Sequence, residues 1–424
     1  MSTPTAVKAV GNAVRAGAGI SRWKLYLVMG LFTLALVAAV RVTTGANELD
    51  SPGSLAAAIT ATCPILLAAL GGLWSERAGV VNIGLEGQML LGTWGGAYCT
   101  YWYGPTIGLL GAIGFGVLGG LIHAIATVTF GVDHIVSGVA LNTIALGLTT
   151  FLAEAFFSDL NSEYGHGGAQ QLTGIQKPPV LDHIPWLSNA ASDLADKHWF
   201  VVSDVAAFVA AATTQVSIVT YLAFALVAVT GIVLWRTTFG LRLRSCGENP
   251  QAAESLGVNV ILHKYAAVLV SGGLAGLGGG YLAMVSSPGF HTNQTNGRGF
   301  IGLAAMIVGN WRPGGGLIGS LMFGYTDSLR LRDPSTIHAL LLLIGIGLLL
   351  FALWRLYQRK YVGAVMIAVF GALFLVWYAV TDTVPRDFTS MTPYVATLLA
   401  VSLFAQRLRM PKADGQIYRK GSAG

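Results

Sequence analysis

Long apolar runs separated by short polar stretches set the rhythm of this chain. A bilayer core is crossed by a helix of about 20 apolar residues. Runs of that kind stand near 24–41, 55–73, 82–102, 106–129, 134–157, 216–235, 264–286, 314–330, 336–354, 361–381 and 391–405. A shorter apolar segment at 299–311 reads as a broken or oblique helix. Counted as a crossing, it brings the total to about twelve spans and places both termini on one side. The expected class is an all-α polytopic membrane protein. The run after Lys24 follows a long basic leader and is itself helix-length, so it reads as an uncleaved first helix rather than a signal peptide.

Composition agrees with the pattern. Hydrophobic residues make up 54% of the chain and charged residues only 10%, against roughly a quarter charged in soluble domains. The 55 glycines suit close helix packing in a bilayer. The net charge of +6 lies in loops and tails with no aromatic-interleaved patch, so it points to membrane topology rather than to nucleic acid. Residues 1–24 (Lys8, Arg15, Arg22, Lys24), the loop 236–264 (Arg236, Arg242, Arg244, Lys264), the turn at 355–360 and the tail (Arg407, Arg409, Lys412, Arg419, Lys420) share one side. By the positive-inside rule that side is the cytoplasm. The acidic loop 158–215 falls on the opposite side, while Arg330 and Arg332 land outside and break the rule. Within that loop, Trp199 to Ala212 is apolar enough for an interfacial helix. The loop is either a surface decoration or a docking platform for an external protein.

Enzyme and cofactor signatures are missing. There is no HExxH, GxSxG or GxxxxGK[ST]. GxGxxG occurs at Gly114/Gly116/Gly119 and at Gly314/Gly316/Gly319, in both cases inside a membrane run, where it reads as helix packing rather than dinucleotide binding. Cys63, Cys99 and Cys246 fit no metal spacing and read as structural. No metal and no cofactor are expected, and any energy source has to reside on a partner.

Three stretches hold the polar exceptions. In residues 75–89, Asn82, Glu86 and Gln88 enter an apolar helix interrupted by Gly79, Gly84 and Gly87. Asn82 and Glu86 are four apart and share a helix face. A carboxylate at membrane depth faces a bundle interior or a wet cavity, and glycine-broken helices are where transporters expose backbone to solute. Glu86 therefore either lines a solute path or pairs with a helix terminus or Arg77. In residues 239–259, Asn249 is suited to an N-cap, Pro250 to the first helical position and Gly257 to the stop, giving about two turns of helix between spans. Either that helix is a capped loop without a partner, or, flanked by Arg242 and Arg244, it docks on a cytoplasmic motor. In residues 271–319, Gly272, Gly276 and Gly280 form a small-residue stripe, and a short Gly/Pro-interrupted segment follows. Such segments point to a translocation path, with Asn310 facing solute and Arg312 at a helix end. His123, Asp133, His134 and Asn142 lie in or beside apolar spans, where a lone polar side chain more often satisfies backbone than binds a ligand.

Together these stretches resemble the permease subunits of bacterial ATP-binding-cassette importers in the nucleoside and simple-sugar branch, relatives of the branched-chain amino acid and ribose permeases. SERAGVVNIGLEGQMLLG is similar to the signature of the nucleoside branch, FGLRLRSCGENPQAAESLGVN to the coupling-helix loop that seats in the ATPase, and GRGFIGLAAMIVGNWRPGGGLIGSLMFG to the late helix pair. The resemblance covers roughly 55–330 and the end of the chain. It implies a core of about ten spans plus two extra near the C-terminus. It also implies coupling residues at Glu248, Asn249, Ala252, Ala253 and Gly257, with Pro250 added from the residue reading. The implied solute path runs at Asn82, Gly84, Glu86 and Gly87, with Gln88, Asn142 and Asn310 added from the residue reading. The implied partners are two cytoplasmic ATPase subunits, a sister permease, an external solute-binding lipoprotein and membrane lipid. The corresponding domains are a cytoplasmic extension 1–23, a permease core 24–330, a two-helix insertion 331–390, and a final helix with basic cytoplasmic tail 391–424. The rival readings are an autonomous or ion-coupled channel or carrier using Glu86, and an intramembrane enzyme, for which no nucleophile–base or metal set is present.

Overall fold

Twenty-six residues from Pro52 to Arg77 form a helix that is apolar on every face, so no single stripe tells it which side to bury. A helix of that kind belongs inside a bundle, and its middle is fully enclosed from Thr62 to Trp74. The computed structural model describes residues 35–164, 171–183, 185–197, 199, 201–329, 334–381, 384 and 408–421. Residues 24–34 of the expected span at 24–41, the expected span at 391–405 and the 1–23 extension lie outside the described residues.

In chain order the helices are α1 (Ala35–Thr44), α2 (Pro52–Arg77), α3 (Leu85–Tyr103), α4 (Pro105–Ala124), α5 (His134–Tyr164), α6 (Pro185–Ala195) and α7 (Val202–Thr213). They continue as α8 (Ile218–Arg236), α9 (Thr238–Glu248), α10 (Pro250–Ser255), α11 (Val260–Tyr281), α12 (Arg298–Val308), α13 (Pro313–Ser328), α14 (Pro334–Tyr357) and α15 (Tyr361–Val380). Short π-helical turns extend α4 to Thr129 and α11 to Ser286. Seven described segments are long and apolar enough to cross a membrane. They coincide with the expected runs near 55–73, 106–129, 134–157, 216–235, 264–286, 336–354 and 361–381. The run at 82–102 is α3, and the segment at 299–311 is the short helix α12. The protein is an all-α integral membrane protein. Among the described residues its strands are two short antiparallel pairs, β1 (Gln171–Leu172) with β4 (Phe290–His291) and β2 (Val180–His183) with β3 (Thr214–Ser217).

The chain divides into two compact units. The larger comprises 52–189, 209–332 and 385–424, and its centre is α11. A Cβ on Gly276 would lie 2.3 Å from the Ala112 carbonyl oxygen, and one on Gly92 would lie 2.3 Å from the Gly276 carbonyl oxygen. α11 is thus clasped backbone to backbone between α3 and α4, the contact that small residues permit in a bilayer. The paired levels 92/276 and 96/280 make α3 parallel to α11, whereas 71/271 and 64/278 make α2 antiparallel to it. Gly116, in the first GxGxxG, packs against the Gly272 carbonyl oxygen at 2.2 Å from a notional Cβ, so that motif serves helix packing.

The smaller unit comprises residues up to 51, 190–208 and 333–384. There Arg41 is buried between Asp50 and Asp204, at 3.1 and 2.8 Å. A pair of carboxylates facing one guanidinium satisfies the rule that buried charges are paired. The apolar stretch expected to lie at an interface is α7, and it begins with this buried Asp204.

Candidate functional site

Helix α2 ends at Arg77 and α3 starts at Leu85, and the seven residues between them are unwound. Unwound backbone inside a packed apolar body has to find partners for its N–H and C=O groups. Buried side chains provide them. Ser75 Oγ donates to Val80 O, Lys264 Nζ donates to Gly79 O at 3.2 Å, and His134 Nδ1 accepts from Val81 N–H at 3.2 Å. His123 Nε2 lies 3.0 Å from Val81 O while its Nδ1 bonds Ser137. Asn142 bridges the break, donating to Ile83 O at 3.1 Å and accepting from Gly87 N–H at 2.7 Å. Gly79 turns the chain at φ +80, a conformation that glycine adopts without steric cost.

The side chains singled out in the sequence fall into three groups. Asn82 and Gln88 pair with each other at 3.0 Å, and Asn82 also donates to Ser271 at 2.9 Å, all fully buried. Glu86 sits at the N-terminus of α12, where one oxygen accepts from the Thr295 hydroxyl and Gly297 N–H (2.8 Å) and the other from Gly299 N–H (2.6 Å). A carboxylate there meets both unpaired amides and the positive end of the helix dipole. Gly299 is required for this approach, because a Cβ would stand 2.6 Å from the Glu86 backbone. Gly84 and Gly87 receive α5 at similarly close range, against Leu141 and Asn142. Asn310 is apart from these, in a left-handed turn with Trp311, and accepts from the Arg409 N–H of the tail at 2.7 Å.

A second cluster gathers around 246–260. Thr237 caps α9 and Asn249 caps α10, accepting from Ala252 N–H at 3.0 Å, with Pro250 in the first turn and Gly257 at φ +81 beyond the end. Glu248, Asn249, Gln251, Ala252, Ser255 and Leu256 are exposed, Leu256 to 85%. Ala253 faces inward against Cys246 and Val260, so it spaces α10 from the body. Arg244 also turns inward, donating to Leu234 O at 2.9 Å, and with Arg77 it brackets the Trp235 ring. Arg242 remains exposed.

The tail completes this face. Ala413 N–H donates to Gly247 O at 2.9 Å, Tyr418 packs on the Ala253–Val260 cluster, and Asp414 is set among Glu76, Arg77 and Lys264. Burial pushes the Asp414 carboxyl up to about 7. Trp311 bonds Glu76 through its indole N–H and accepts both Arg77 donors on its carbonyl, at 2.6 and 3.0 Å. This tail-to-break contact was not read from the sequence. A basic tail gives no register, and its one signal is an isolated acid at Asp414 amid cations. No cluster of metal-binding side chains occurs among the described residues.

Residues 54–353 match the model of the branched-chain amino acid transport system permease component family. A guanosine ABC transporter permease, NupQ, from Bacillus subtilis (strain 168) is 34% identical, covering 86% of this chain and 96% of its own length. A nucleoside ABC transporter permease, NupC, from Lactococcus lactis subsp. cremoris is 34% identical, over 84% of this chain and 93% of that one. A second nucleoside permease from the same organism, NupB, is 24% identical over 65% and 72% of the two chains. No solved structure matches the chain.

Proposed function

The chain belongs to the branched-chain amino acid transport system permease family, and we propose that it is one membrane-spanning half of an ATP-driven importer for nucleosides. Family membership makes it a transport subunit rather than an enzyme. The relatives named for guanosine and nucleosides support the solute class, and the occurrence of NupC and NupB in one organism supports a sister permease as the other half. Two cytoplasmic ATPase subunits drive the pore, an external binding lipoprotein delivers solute to the 158–215 face, and both termini are cytoplasmic.

One observation supports the motor contact above the rest. The capped helix α10 presents Glu248, Asn249, Gln251, Ala252 and an almost fully exposed Leu256, while its inner face is fixed to the body through Ala253. An exposed leucine at a rigid helix tip offers a partner cleft apolar surface to remove from water. Movement of that tip reaches the break directly, since Gly247 lies against Gly79 and Arg77. Alternating access then requires each ATPase state to favour a different helix packing. An ion-coupled carrier centred on Glu86 is not favoured, because both its oxygens accept hydrogen bonds from the 295–299 segment.

In a strain expressing the complete transporter, Leu256→Asp combined with Glu248→Arg is expected to lower ATP-dependent uptake of labelled uridine at least about tenfold, with the same amount of protein in the membrane. Undiminished uptake by that variant removes α10 as the coupling element.

A further inference from the structure

At the end of the larger unit away from α10, the antiparallel β2–β3 pair roofs a cavity of about 400 Å³ over the start of α2 and the end of α11. None of the polar residues singled out in the sequence line it. Its polar lining comes from Thr60, Lys177, Asp182, Thr214, Gln215, Ser217 and Thr220. We propose that this cavity is the site where the chain receives its solute, and that it takes a neutral, hydroxyl-bearing molecule of nucleoside size. The inference rests on the import reading above and adds the residues that meet the solute.

The size falls in the range of small-molecule sites, roughly 300–1,000 Å³. The floor is more telling. Thr220 bonds the hydroxyl of Tyr281 at 2.8 Å, while Thr60 donates to Ala56 O of its own helix at 3.0 Å. Tyr281 is fully buried, so Thr220 ties the cavity floor to a hydroxyl cluster, Thr220 with Tyr281, held between α8 and α11 inside an otherwise apolar core. Apolar side chains would fill that junction at lower cost than buried hydroxyls, which marks the cluster as more than packing. Pro64 lies four residues after Thr60 in α2 and has no N–H, so the helix supplies no donor to the Thr60 carbonyl.

The charges are placed differently. Lys177 and Asp182 are both exposed and stand at the rim, one of each sign. The floor holds no charged side chain, so a charged group entering it would lose its water without a counter-ion. Neutral ribose-like hydroxyls and amide edges match the threonines, Ser217 and the Gln215 amide. Gln215 itself is held at φ +52 in the roof, a region that non-glycine residues occupy at a cost, and such strain gathers at ligand sites.

The test uses the complete transporter and labelled uridine. Thr220→Val and Gln215→Ala are each expected to raise the KM for uptake about fivefold, and Thr220→Ser, which restores the hydroxyl, brings it back. Gln215→Cys in a Cys99→Ser background is expected to lose uptake on treatment with a membrane-impermeant thiol reagent, and excess uridine protects it. An unchanged KM in Thr220→Val and Gln215→Ala, with a thiol adduct that leaves uptake intact, overturns the site while the import reading stands. Uptake of leucine in place of uridine by the unmodified transporter overturns the neutral-solute assignment. No ATP-dependent uptake of any of these by the unmodified transporter overturns the import reading and the site together.

Discussion

A polar side chain in a membrane protein either meets a ligand or completes the protein's own hydrogen bonds, and here the second use dominates near the break. Asn142 occupies both ends of its amide on Ile83 and Gly87, and His123 and His134 together serve both polar groups of Val81. The sequence showed that these residues were out of place in apolar runs. It did not show which backbone groups they serve, because those groups become unpaired only when α2 unwinds after Arg77. Asp414 is the residue whose behaviour depends on pH. Its carboxyl titrates near 7 when packed, against an ordinary value of 3.8, so the packed tail binds a proton that a free tail releases. Docking of the tail is therefore strongest below about pH 4, weakens as pH rises towards 7, and is flat above that. Hydrogen exchange at the Ala413 amide, corrected for its intrinsic pH dependence, is expected to quicken between pH 5 and 8, and Asp414→Asn is expected to abolish that change. A pH-independent rate in the unmodified protein contradicts this account.

At the scale of elements, the glycine stripe of α11 was legible as a contact surface, since Gly272, Gly276 and Gly280 repeat every four residues. Its partners were not, because an apolar helix without a polar face carries no preference among neighbours. The structure assigns it to Gly92 and Gly96 on one side and to Ala112 and Gly116 on the other. Gly276→Val forces α4 away from α11 at once, since Cβ alone would stand 2.3 Å from the Ala112 carbonyl oxygen. It is expected to cut the yield of folded, monodisperse protein in detergent at least about tenfold, whereas Gly147→Ala, which meets nothing nearby, is expected to leave yield unchanged. Equal yields would show that the α3–α11–α4 contact is not what holds the bundle. Helix α10 was readable from Asn249, Pro250 and Gly257, because caps are local chemistry. Helix α9 was missed, although Thr237 caps it, because its Leu and Arg residues alternate without an apolar run.

For the whole molecule, the central consequence of the reading is dependence on partners. The sequence carries no GxxxxGK[ST] phosphate loop, and proteoliposomes holding this chain alone are expected to accumulate no labelled uridine, whereas addition of the sister permease, the ATPase subunits and the external binding lipoprotein is expected to give ATP-dependent uptake. Uptake by the chain alone would favour an autonomous carrier. The sequence by itself determined the membrane class, the positions of the apolar spans, the capped loop at 249–257 and the family. Each of these follows from composition or from contacts a few residues apart, which the chain states directly. Only the tertiary structure decided what the polar residues are for. It turned Glu86 towards the amides at 297–299, laid the tail across Gly247, and brought Thr60, Gln215 and Thr220 to one cavity from segments more than 150 residues apart. Those pairings join residues distant along the chain through helices that are apolar on all sides, and such helices hold no record in their own sequence of the neighbour they will meet.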